Sequence, residues 1–524
     1  MNTFSPFFLR YDWMKPFLLS VMLVVWMGGA ALPAMAQEAE AETTAVEAVQ
    51  ETPTEAEAAG QEEHAEDEEH AEDHHTPMPP IWLVLPFVVL LLMIATGPLF
   101  YAHHWHHHYP KYAVGLGLLV VIYYLFVLDA PTAMLHALQE YLSFIALVAS
   151  LFVAASGIYL KVNARGTPLV NVSLLSIAAV IANLIATTGA AMLFIRPYMR
   201  LNQGRLRPYH IVFFIFIVAN VGGALTPIGD PPLFLGFLRG VPFFWTFTHV
   251  WYVWVPAMLI ILGIFYIFDK RNKLTGPKLE GTSGKTISIT GYRSFIFVFI
   301  IIISVFIDPN VFSALKGTPL DLVGTYHLPF GIREVIMFSM CYVAYKYCNK
   351  EALQLNEFTF EPIREVAWLF LGIFACMVPA LNLIAAFASN NADALGVGTF
   401  YWGTGMLSAF LDNAPTYLNF LAAAMGKFGV DVNMASDVQA FADPALVDPQ
   451  SWHFLQAISV AAVFFGAMSY IGNAPNFMVK AIAEANNVDA PSFAGYLFKY
   501  AIPILLPVYA LIWLIFYSGW ILQF

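Results

Sequence analysis

Charge is the property that this sequence most lacks. Only 11% of its 524 residues are Asp, Glu, Lys or Arg, while 59% are hydrophobic, and a soluble domain carries about 25% charged residues. This composition excludes a water-soluble enzyme. The formal net charge of −12 also offers no basic surface to nucleic acid. We therefore expect a chain that crosses a membrane many times and binds no nucleic acid.

Cysteine is scarce as well, because the chain has only three. Cys341, Cys348 and Cys376 lie within or beside apolar runs and show no Cys-x-x-Cys spacing. An odd count without such spacing predicts no disulfide framework.

Basic residues are absent from residues 37–76, which hold fifteen of the 36 acidic residues. Upstream, Arg10 and Lys15 precede an apolar run that ends at Ala34-Met35-Ala36, a pattern typical of a cleavable secretory signal. We expect residues 1–36 to be a signal peptide, although an uncleaved first span is the alternative. Residues 37–79 should then form a disordered, acidic, histidine-containing tail in the periplasm, because dense like charge and low hydrophobicity do not support folding.

Apolar runs of spanning length fill the rest of the chain and fall into two sets of five. The first set lies near residues 81–101, 112–128, 140–160, 209–238 and 249–268, and the second near 294–307, 332–347, 366–388, 453–482 and 500–520. Each set also contains an apolar segment interrupted by polar residues, at 168–195 and at 399–425.

Basic residues indicate how these segments are oriented. With the tail outside, nearly all Lys and Arg residues of the connections fall in the cytoplasm, as the positive-inside rule requires. The exceptions are Arg239, Lys316, Arg333 and Lys427. This agreement holds only if residues 168–195 leave on the side where they enter. Two arms of about 18 Å each are too short to cross a membrane core of about 30 Å, so the segment is predicted to be a re-entrant hairpin.

The predicted fold is therefore an all-α polytopic membrane protein made of two inverted repeats, each with five spans and one re-entrant helical hairpin. The repeats cover residues 80–268 and 293–524 and are joined by a cytoplasmic linker at 269–292. Such repeats are typical of secondary transporters, whose binding sites lie where discontinuous helices meet near the midplane. The alternative is an unrelated polytopic protein with chance loop charges.

The fourth span of each half is interrupted by related sequences. Ile228-Gly229-Asp230-Pro231-Pro232 aligns with Ile471-Gly472-Asn473-Ala474-Pro475. Proline removes a backbone donor and glycine permits open conformations. Within a membrane, such unwound backbone is tolerated only where it lines a cavity. Asn220, Thr226 and Ser469 add polar groups to the two interruptions.

The hairpin tips carry further polar residues, namely Asn183, Thr187, Thr188 and Gly189 in the first and Asp412, Asn413 and Thr416 in the second. Asp230 and Asp412 are the only carboxylates in the four interruptions. An acid at membrane depth is a functional candidate by default. The alternative is a carboxylate that only caps the N-terminus of a half-helix.

These motifs resemble a known superfamily. The run from Gly222 to Asp230 resembles the signature of NhaD-type sodium/proton antiporters in the ion transporter superfamily, which also contains citrate and dicarboxylate carriers and arsenite permeases. Leu411-Asp412-Asn413-Ala414-Pro415-Thr416 is similar to its second hairpin tip, and Thr188-Gly189-Ala190-Ala191 to the first tip of the arsenite permeases. The similarity covers residues 80–520, and the nearest branch consists of bacterial proteins described as sodium/proton antiporters or citrate transporters.

The resemblance implies an elevator-type homodimer in the bacterial inner membrane. One departure concerns the first hairpin, where NhaD-type proteins have an Asp-Asn-x-Thr-Thr tip. Here Ala186 precedes Thr187-Thr188, which leaves ion number and stoichiometry open.

We expect substrate or ion binding by the polar residues of the four interruptions: Asn183, Thr187, Thr188, Gly189, Asn220, Thr226, Gly229, Asp230, Asp412, Asn413, Thr416, Ser469, Gly472 and Asn473. Sodium is assigned to Asp230, Asp412, Asn413 and Asn473. Since a poorly solvated cavity favours the protonated form of a carboxylate, protons should compete with Na⁺ at Asp230 and Asp412. No cofactor and no enzymatic activity are expected; Na⁺ and H⁺ are the transported ions.

The predicted function is therefore Na⁺/H⁺ antiport, and the alternative is sodium-coupled citrate or dicarboxylate symport. Metal or arsenite efflux is the least favoured candidate. A carboxylate substrate calls for cationic groups, and no Lys or Arg lies inside the interruptions. Arg196, Arg239 and Lys480 lie toward segment ends, where we expect them to snorkel. The expected partners are membrane lipid, small ions or carboxylates, and a second copy of the chain.

Histidine clusters permit a metal-binding alternative. Five lie near the first span, at His103, His104, His106, His107 and His108, and four in the tail, at His64, His70, His74 and His75. Neither cluster has a His-Glu-x-x-His pattern, so an interfacial belt and a solvated tail are the preferred interpretation.

Overall fold

The computed structural model describes residues 78–162, 164–272, 287–309 and 311–521. The predicted signal peptide, the tail histidines and most of the predicted linker lie outside these residues. The described chain is almost entirely helical, as predicted.

The first half begins with a 3-10 turn at Ile81–Val84 and continues with seven helices. They are α1 (Leu85–Phe100), α2 (Ala102–Phe126), α3 (Pro131–Ser156), α4 (Pro168–Leu201), α5 (Pro208–Ile217), α6 (Pro231–Arg239) and α7 (Trp245–Lys270), with a 3-10 turn at Val221–Gly223.

The second half contains twelve described helices. They are α8 (Arg293–Ser304), α9 (Leu322–Tyr326), α10 (Ile332–Tyr347), α11 (Lys350–Leu355), α12 (Glu361–Asn390), α13 (Val397–Ser408), α14 (Asn413–Lys427), α15 (Ala435–Ala442), α16 (Ser451–Phe465), α17 (Ala474–Ala485), α18 (Phe493–Tyr496) and α19 (Leu506–Phe516). A π-helix at Leu497–Leu505 joins α18 to α19, and 3-10 turns lie at Ser313–Leu315, Ala392–Ala394 and Gly466–Met468.

Eight of the described helical segments are long and apolar enough to cross a membrane. This finding confirms a multi-pass membrane protein. Protein buries 94% of the residues of Ser451–Met468, but only about a third or fewer of those in the apolar windows of α1, α2 and α7. Both interrupted spans begin with a helix that is almost wholly buried inside the protein, α5 in the first and α16 in the second.

A two-stranded antiparallel sheet is the one element outside the helical prediction. Strand β1 (Tyr159–Val162) pairs with β2 (Ile287–Thr290), and Leu160 lies opposite Ile289. The strands follow α3 and precede α8, so this ribbon joins the connections of the two halves. Four-residue strands in short connections leave too weak a periodicity for the sequence to reveal them.

The element α4 is a helical hairpin rather than a straight helix. A straight helix of its 34 residues would be about 51 Å long. Instead, Asn171 Nδ2 near its start donates to Asn202 Oδ1 just beyond its end at 2.8 Å. The reversal occurs at Ile185 and Ala186, where the backbone is non-helical and Ala186 has a φ of 63°. We call this element the first hairpin.

Helices α13 and α14 form the second hairpin, with residues 409–412 at its tip. Lys427 Nζ at the end of α14 donates to the Ala392 carbonyl before α13 at 2.7 Å. Both ends of the second hairpin therefore also lie together.

Two long spans are interrupted where the sequence predicts. Helix α5 ends at Ile217 and α6 begins at Pro231, which leaves residues 218–230 as the first break. Helix α16 ends at Phe465 and α17 begins at Ala474, which leaves residues 466–473 as the second break. Proline in the first turn of α6 and of α17 starts each second half-helix, because proline needs no donor there.

Candidate ion-binding site

The two hairpin tips and the two breaks meet at one carboxylate. Asp230 occupies the N-cap position of α6 at the end of the first break, and Asn473 that of α17 at the end of the second, although neither side chain bonds to its own helix. Thr187 follows the reversal of the first hairpin, and Asn413 begins α14 in the second. Four residues from four separate chain segments therefore share one location.

The Asp230 carboxylate accepts three hydrogen bonds from neutral groups. Its Oδ1 accepts from Thr187 Oγ1 at 2.8 Å and from Asn473 Nδ2 at 2.9 Å. Its Oδ2 accepts from Asn413 Nδ2 at 2.6 Å. The side chain is 1% exposed, and no described Lys or Arg forms an ion pair with it. The negative charge is thus held without a protein cation.

Helix ends supply the positive potential instead. Each of these residues stands at the N-terminus of a half-helix, where unpaired N–H groups act as about half a positive charge. Four such ends around Asp230 stabilise an ionised carboxylate in a buried site. The same arrangement also attracts a bound anion, so helix ends alone do not identify the ligand.

Each half attaches its hairpin tip to its own break in the same way. Thr187 N donates to the Gly229 carbonyl at 2.8 Å, and Asn413 N donates to the Gly472 carbonyl at 3.1 Å. These two glycines occupy matching positions in the aligned motifs. The main chain therefore repeats its geometry in both halves of the site.

A hydroxyl supports the turn of each break in a second repeated contact. Gly229 N donates to Thr226 Oγ1 at 3.1 Å, and Gly472 N donates to Ser469 Oγ at 3.2 Å. A Cβ atom added at Gly229 would overlap the carbonyl oxygen of Gly223. Close backbone approach therefore requires glycine there.

One buried oxygen in the site has no partner among the described residues. Asn413 donates its amide to Asp230, while its Oδ1 is buried and accepts no hydrogen bond. An unsatisfied buried acceptor costs about 1–3 kcal/mol. A cation beside Asp230 would satisfy this oxygen, because hard cations take carboxylate and amide oxygens as ligands.

Further asparagines extend the network. Asn220 Nδ2 donates to Asn476 Oδ1 at 2.6 Å, and Asn473 Nδ2 lies 3.3 Å from Asn220 Oδ1. Asn476 is absent from the predicted site, although it directly follows Pro475 of the second interruption. Its aligned counterpart in the first half is apolar Leu233, so the repeat gave no signal for it.

A small cavity adjoins the carboxylate. It has a volume of about 20 Å³ and is lined by Asp230, Thr188 and Gly189 on one side and by Phe144 and Leu147 of α3 on the other. This volume is enough for roughly one water molecule. In this conformation the site therefore has room for a small ion, and α3 forms the wall facing it.

Other predicted residues support the backbone rather than contact Asp230. Asn183 donates to the Gly222 carbonyl at 2.7 Å and accepts from Leu225 N at 2.8 Å. Thr226 Oγ1 donates to the Asn183 carbonyl at 2.6 Å. Asn183 and Thr226 thus hold the first break against the first hairpin.

Asp412 caps a helix. Its Oδ1 accepts from Ala414 N at 3.0 Å, and Thr416 Oγ1 donates to its carbonyl at 2.9 Å. The capping alternative therefore fits this carboxylate. Because Asp412 directly precedes Asn413 and acts electrostatically on Asp230, its role in ion binding stays a prediction.

The two arginines that the sequence predicts to snorkel form ion pairs. Arg196 NH2 lies 3.0 Å from Glu357 Oε2. Arg239 pairs with Glu140 and donates to Asn433 Oδ1 at 2.7 Å. Acidic and amide partners on facing elements thus bind both guanidinium groups, and the Glu357 side chain is 61% exposed. Snorkelling of these two arginines stays a prediction.

Histidine gives no metal site in the part of the chain that the structure describes. The His104 and His108 rings stack 4.4 Å apart on α2, and His104 Nε2 lies 2.8 Å from the Tyr112 hydroxyl. Within the described residues, no group of three or more His, Cys, Asp or Glu side chains could hold a metal ion.

Comparisons with known proteins agree on the class of protein. Residues 76–517 match a sequence family described as "Putative citrate transport". Sodium/proton antiporter 2 and sodium/proton antiporter 1 of Arabidopsis thaliana are each 24% identical to the chain, over 303 and 300 residues. Each alignment covers 54% of this chain, and the two cover 63% and 46% of the relatives. The chain thus spans between about half and two thirds of the length of these relatives.

Proposed function

The chain belongs to the family described as putative citrate transport, and we propose that it is a secondary transporter that exchanges Na⁺ for H⁺ at Asp230. The observation that carries this proposal is the buried Asp230 carboxylate, which accepts a hydrogen bond from Asn413, whose Oδ1 has no partner among the described residues. The names of the two Arabidopsis relatives support the same exchange.

Competition for one carboxylate provides the coupling. An isolated buried charge is costly, so neutralising Asp230 by a proton or by Na⁺ is favourable. Binding of one displaces the other, because both need the same oxygens. Thr187 and the two asparagines suit both states, since hydroxyl and amide groups can donate to the carboxylate or present oxygen to a cation.

Sodium-coupled citrate or dicarboxylate symport is the second candidate. The family description and the four helix N-termini favour it, since helix N-termini bind anionic groups of substrates. Against it, the Asp230 carboxylate already occupies the place where these helix ends meet. The adjoining cavity of about 20 Å³ also has no room for a tricarboxylate.

The transport cycle that we propose is elevator-like. The two hairpins and two breaks would move as one body, because Asp230 and the repeated main-chain bonds join them. Helix α3, which forms the wall beside Asp230, would belong to the static part. The repeated contacts of Gly229 and Gly472 support inverted repeats with re-entrant hairpins. We further propose that the protein works as a homodimer in the bacterial inner membrane.

The test uses the purified full chain in proteoliposomes. A pH gradient, acidic inside, is followed with a trapped fluorescent dye while Na⁺ or choline is added outside. We expect Na⁺ to dissipate the gradient and choline to have no effect. Uptake of labelled citrate and succinate is measured in parallel. Na⁺-driven uptake of either acid without Na⁺-dependent proton flux would overturn the proposal and select symport.

A further inference from the structure

A large apolar groove lies away from the Asp230 site. Its volume is about 910 Å³, and Ser173 is the only polar residue in its lining. One wall is the first arm of the first hairpin, represented by Ile177 and Leu184, and the other is α8, represented by Phe299. We call this space the apolar groove.

The short ribbon closes one end of the apolar groove. Leu160 and Val162 of β1 and Ile289 of β2 face the groove. Because side chains alternate along a strand, Lys161 projects from the other face. A two-stranded ribbon is only marginally stable by itself, and its isoleucine Ile289 is 48% exposed. Its apolar face therefore needs a cover, and the described residues leave Ile289 exposed.

The groove is open along its length toward the surroundings. Ile177 is 52% exposed, Leu184 is 52% exposed and Phe299 is 62% exposed. Protein interiors rarely contain voids larger than a water molecule. In a membrane, a groove of this size and composition is filled by hydrocarbon.

One basic residue lies beyond each end of the ribbon, because Val162 pairs with Ile287 and Tyr159 pairs with Thr290. Arg165 directly follows Ala164, which lines the groove, and Arg293 begins α8 two residues before Phe295, which also lines it. Both arginines are exposed, and neither is ion-paired with any residue that the structure describes. These two arginines form a cationic rim on the apolar groove, which is complementary to an anionic head group above acyl chains.

We propose that the apolar groove binds an anionic phospholipid, with its acyl chain along the first hairpin and its head group at the rim between Arg165, before the hairpin wall, and Arg293, at the start of the α8 wall. The groove extends to Ile185, which adjoins the reversal at Ala186 and lies two residues from Thr187. The lipid thus contacts the hairpin whose tip donates to Asp230. Its binding depends only on the fold and is independent of the ion that the protein carries.

The test measures lipid retention by native mass spectrometry of the delipidated full chain titrated with phosphatidylglycerol or phosphatidylcholine. We expect one phosphatidylglycerol per chain to bind more tightly than phosphatidylcholine. The double variant Arg165→Gln/Arg293→Gln should bind phosphatidylglycerol roughly 30-fold more weakly, because each basic residue near an anionic lipid surface contributes about fivefold. Lys111→Gln, which removes an exposed charge on α2, should leave binding unchanged.

A second variant tests the apolar groove itself. Ile177→Trp should reduce the binding of both lipids by filling the groove, whereas Leu259→Trp on the exposed face of α7 should not. Thermal unfolding of each variant without lipid checks that the fold is retained. Unchanged lipid binding in both Arg165→Gln/Arg293→Gln and Ile177→Trp would overturn the proposal. Efficient cross-linking of Ile177→Cys between two chains would also overturn it, since a second copy would then cover the groove.

Discussion

Replacement of Asp230 by asparagine is the sharpest test of the candidate site. The change removes one negative charge and keeps the shape of the side chain. At about 4 Å and an effective dielectric constant of about 20, two unit charges attract by about 4 kcal/mol. This corresponds to roughly a 1000-fold loss of Na⁺ affinity. We therefore expect Asp230→Asn to abolish Na⁺-dependent proton flux.

The same substitution should leave the protein folded. The new amide would place a donor opposite Asn413 Nδ2, which now lies 2.6 Å from Asp230 Oδ2. Rotation of the Asn413 amide by 180° resolves this conflict, because its Oδ1 has no partner in the described structure and can accept the new donor. We expect the free energy of unfolding to change by less than about 1.5 kcal/mol, the typical net value of one hydrogen bond.

The assay compares Na⁺-dependent dye recovery in proteoliposomes containing the parent, Asp230→Asn or the control Asp443→Asn. Asp443 is an exposed acid on the loop after α15, and asparagine retains the oxygen that accepts from Ala445 N. Thermal unfolding in detergent shows whether each variant is folded. Folded Asp230→Asn protein that still exchanges Na⁺ for H⁺ at the parent rate would refute the assignment of Asp230 as the coupling group.

Three further substitutions test other parts of the molecule. Asp412→Asn keeps an oxygen for Ala414 N, so we expect unchanged thermal stability but at least a tenfold loss of Na⁺-dependent proton flux; full activity would leave Asp412 a helix cap only. Gly472→Ala should destabilise the fold by about 1–3 kcal/mol in thermal unfolding, because a Cβ there would meet backbone oxygens at 2.5 and 2.7 Å. Gly263→Ala, where the space is open, is its control and should be neutral or stabilising. Asp269→Ala should lower the yield of folded protein in size-exclusion chromatography by removing a fully buried partner of Arg205, a loss typically worth about 3–5 kcal/mol; a yield equal to that of the parent would contradict this.

Local chemistry allowed the sequence to indicate much of the fold. The membrane spans could be predicted because exposing backbone polar groups to lipid is costly. This cost restricts the segments that cross the membrane to long apolar helices. The two breaks could also be predicted from local residues. Pro231 cannot continue a preceding helix, and Gly229 and Gly472 allow neighbouring backbone to come close. The breaks at 218–230 and 466–473 overlap the predicted interruptions but end before their prolines, because Pro231 and Pro475 lie in the first turn of the next half-helix. The ribbon of β1 and β2 escaped prediction because it depends on pairing between distant connections.

The sequence predicted the residues of the site but not how their atoms contact one another. The sequence placed Thr187, Asp230, Asn413 and Asn473 in four interruptions, and the repeated motif suggested that these belong together. Only the tertiary structure decided that Asp230 is the central acceptor, that Asp412 turns toward its own helix, and that Asn413 keeps an oxygen without a partner.

The physical reason is the distance along the chain. Asp230 and Asn473 are 243 residues apart, and no local preference of either residue specifies a 2.9 Å contact. That contact results from the packing of four half-helices, which fixes the directions of their N-termini. Sequence alone thus determined where the helices must stop, and packing determined which oxygen and nitrogen atoms meet there.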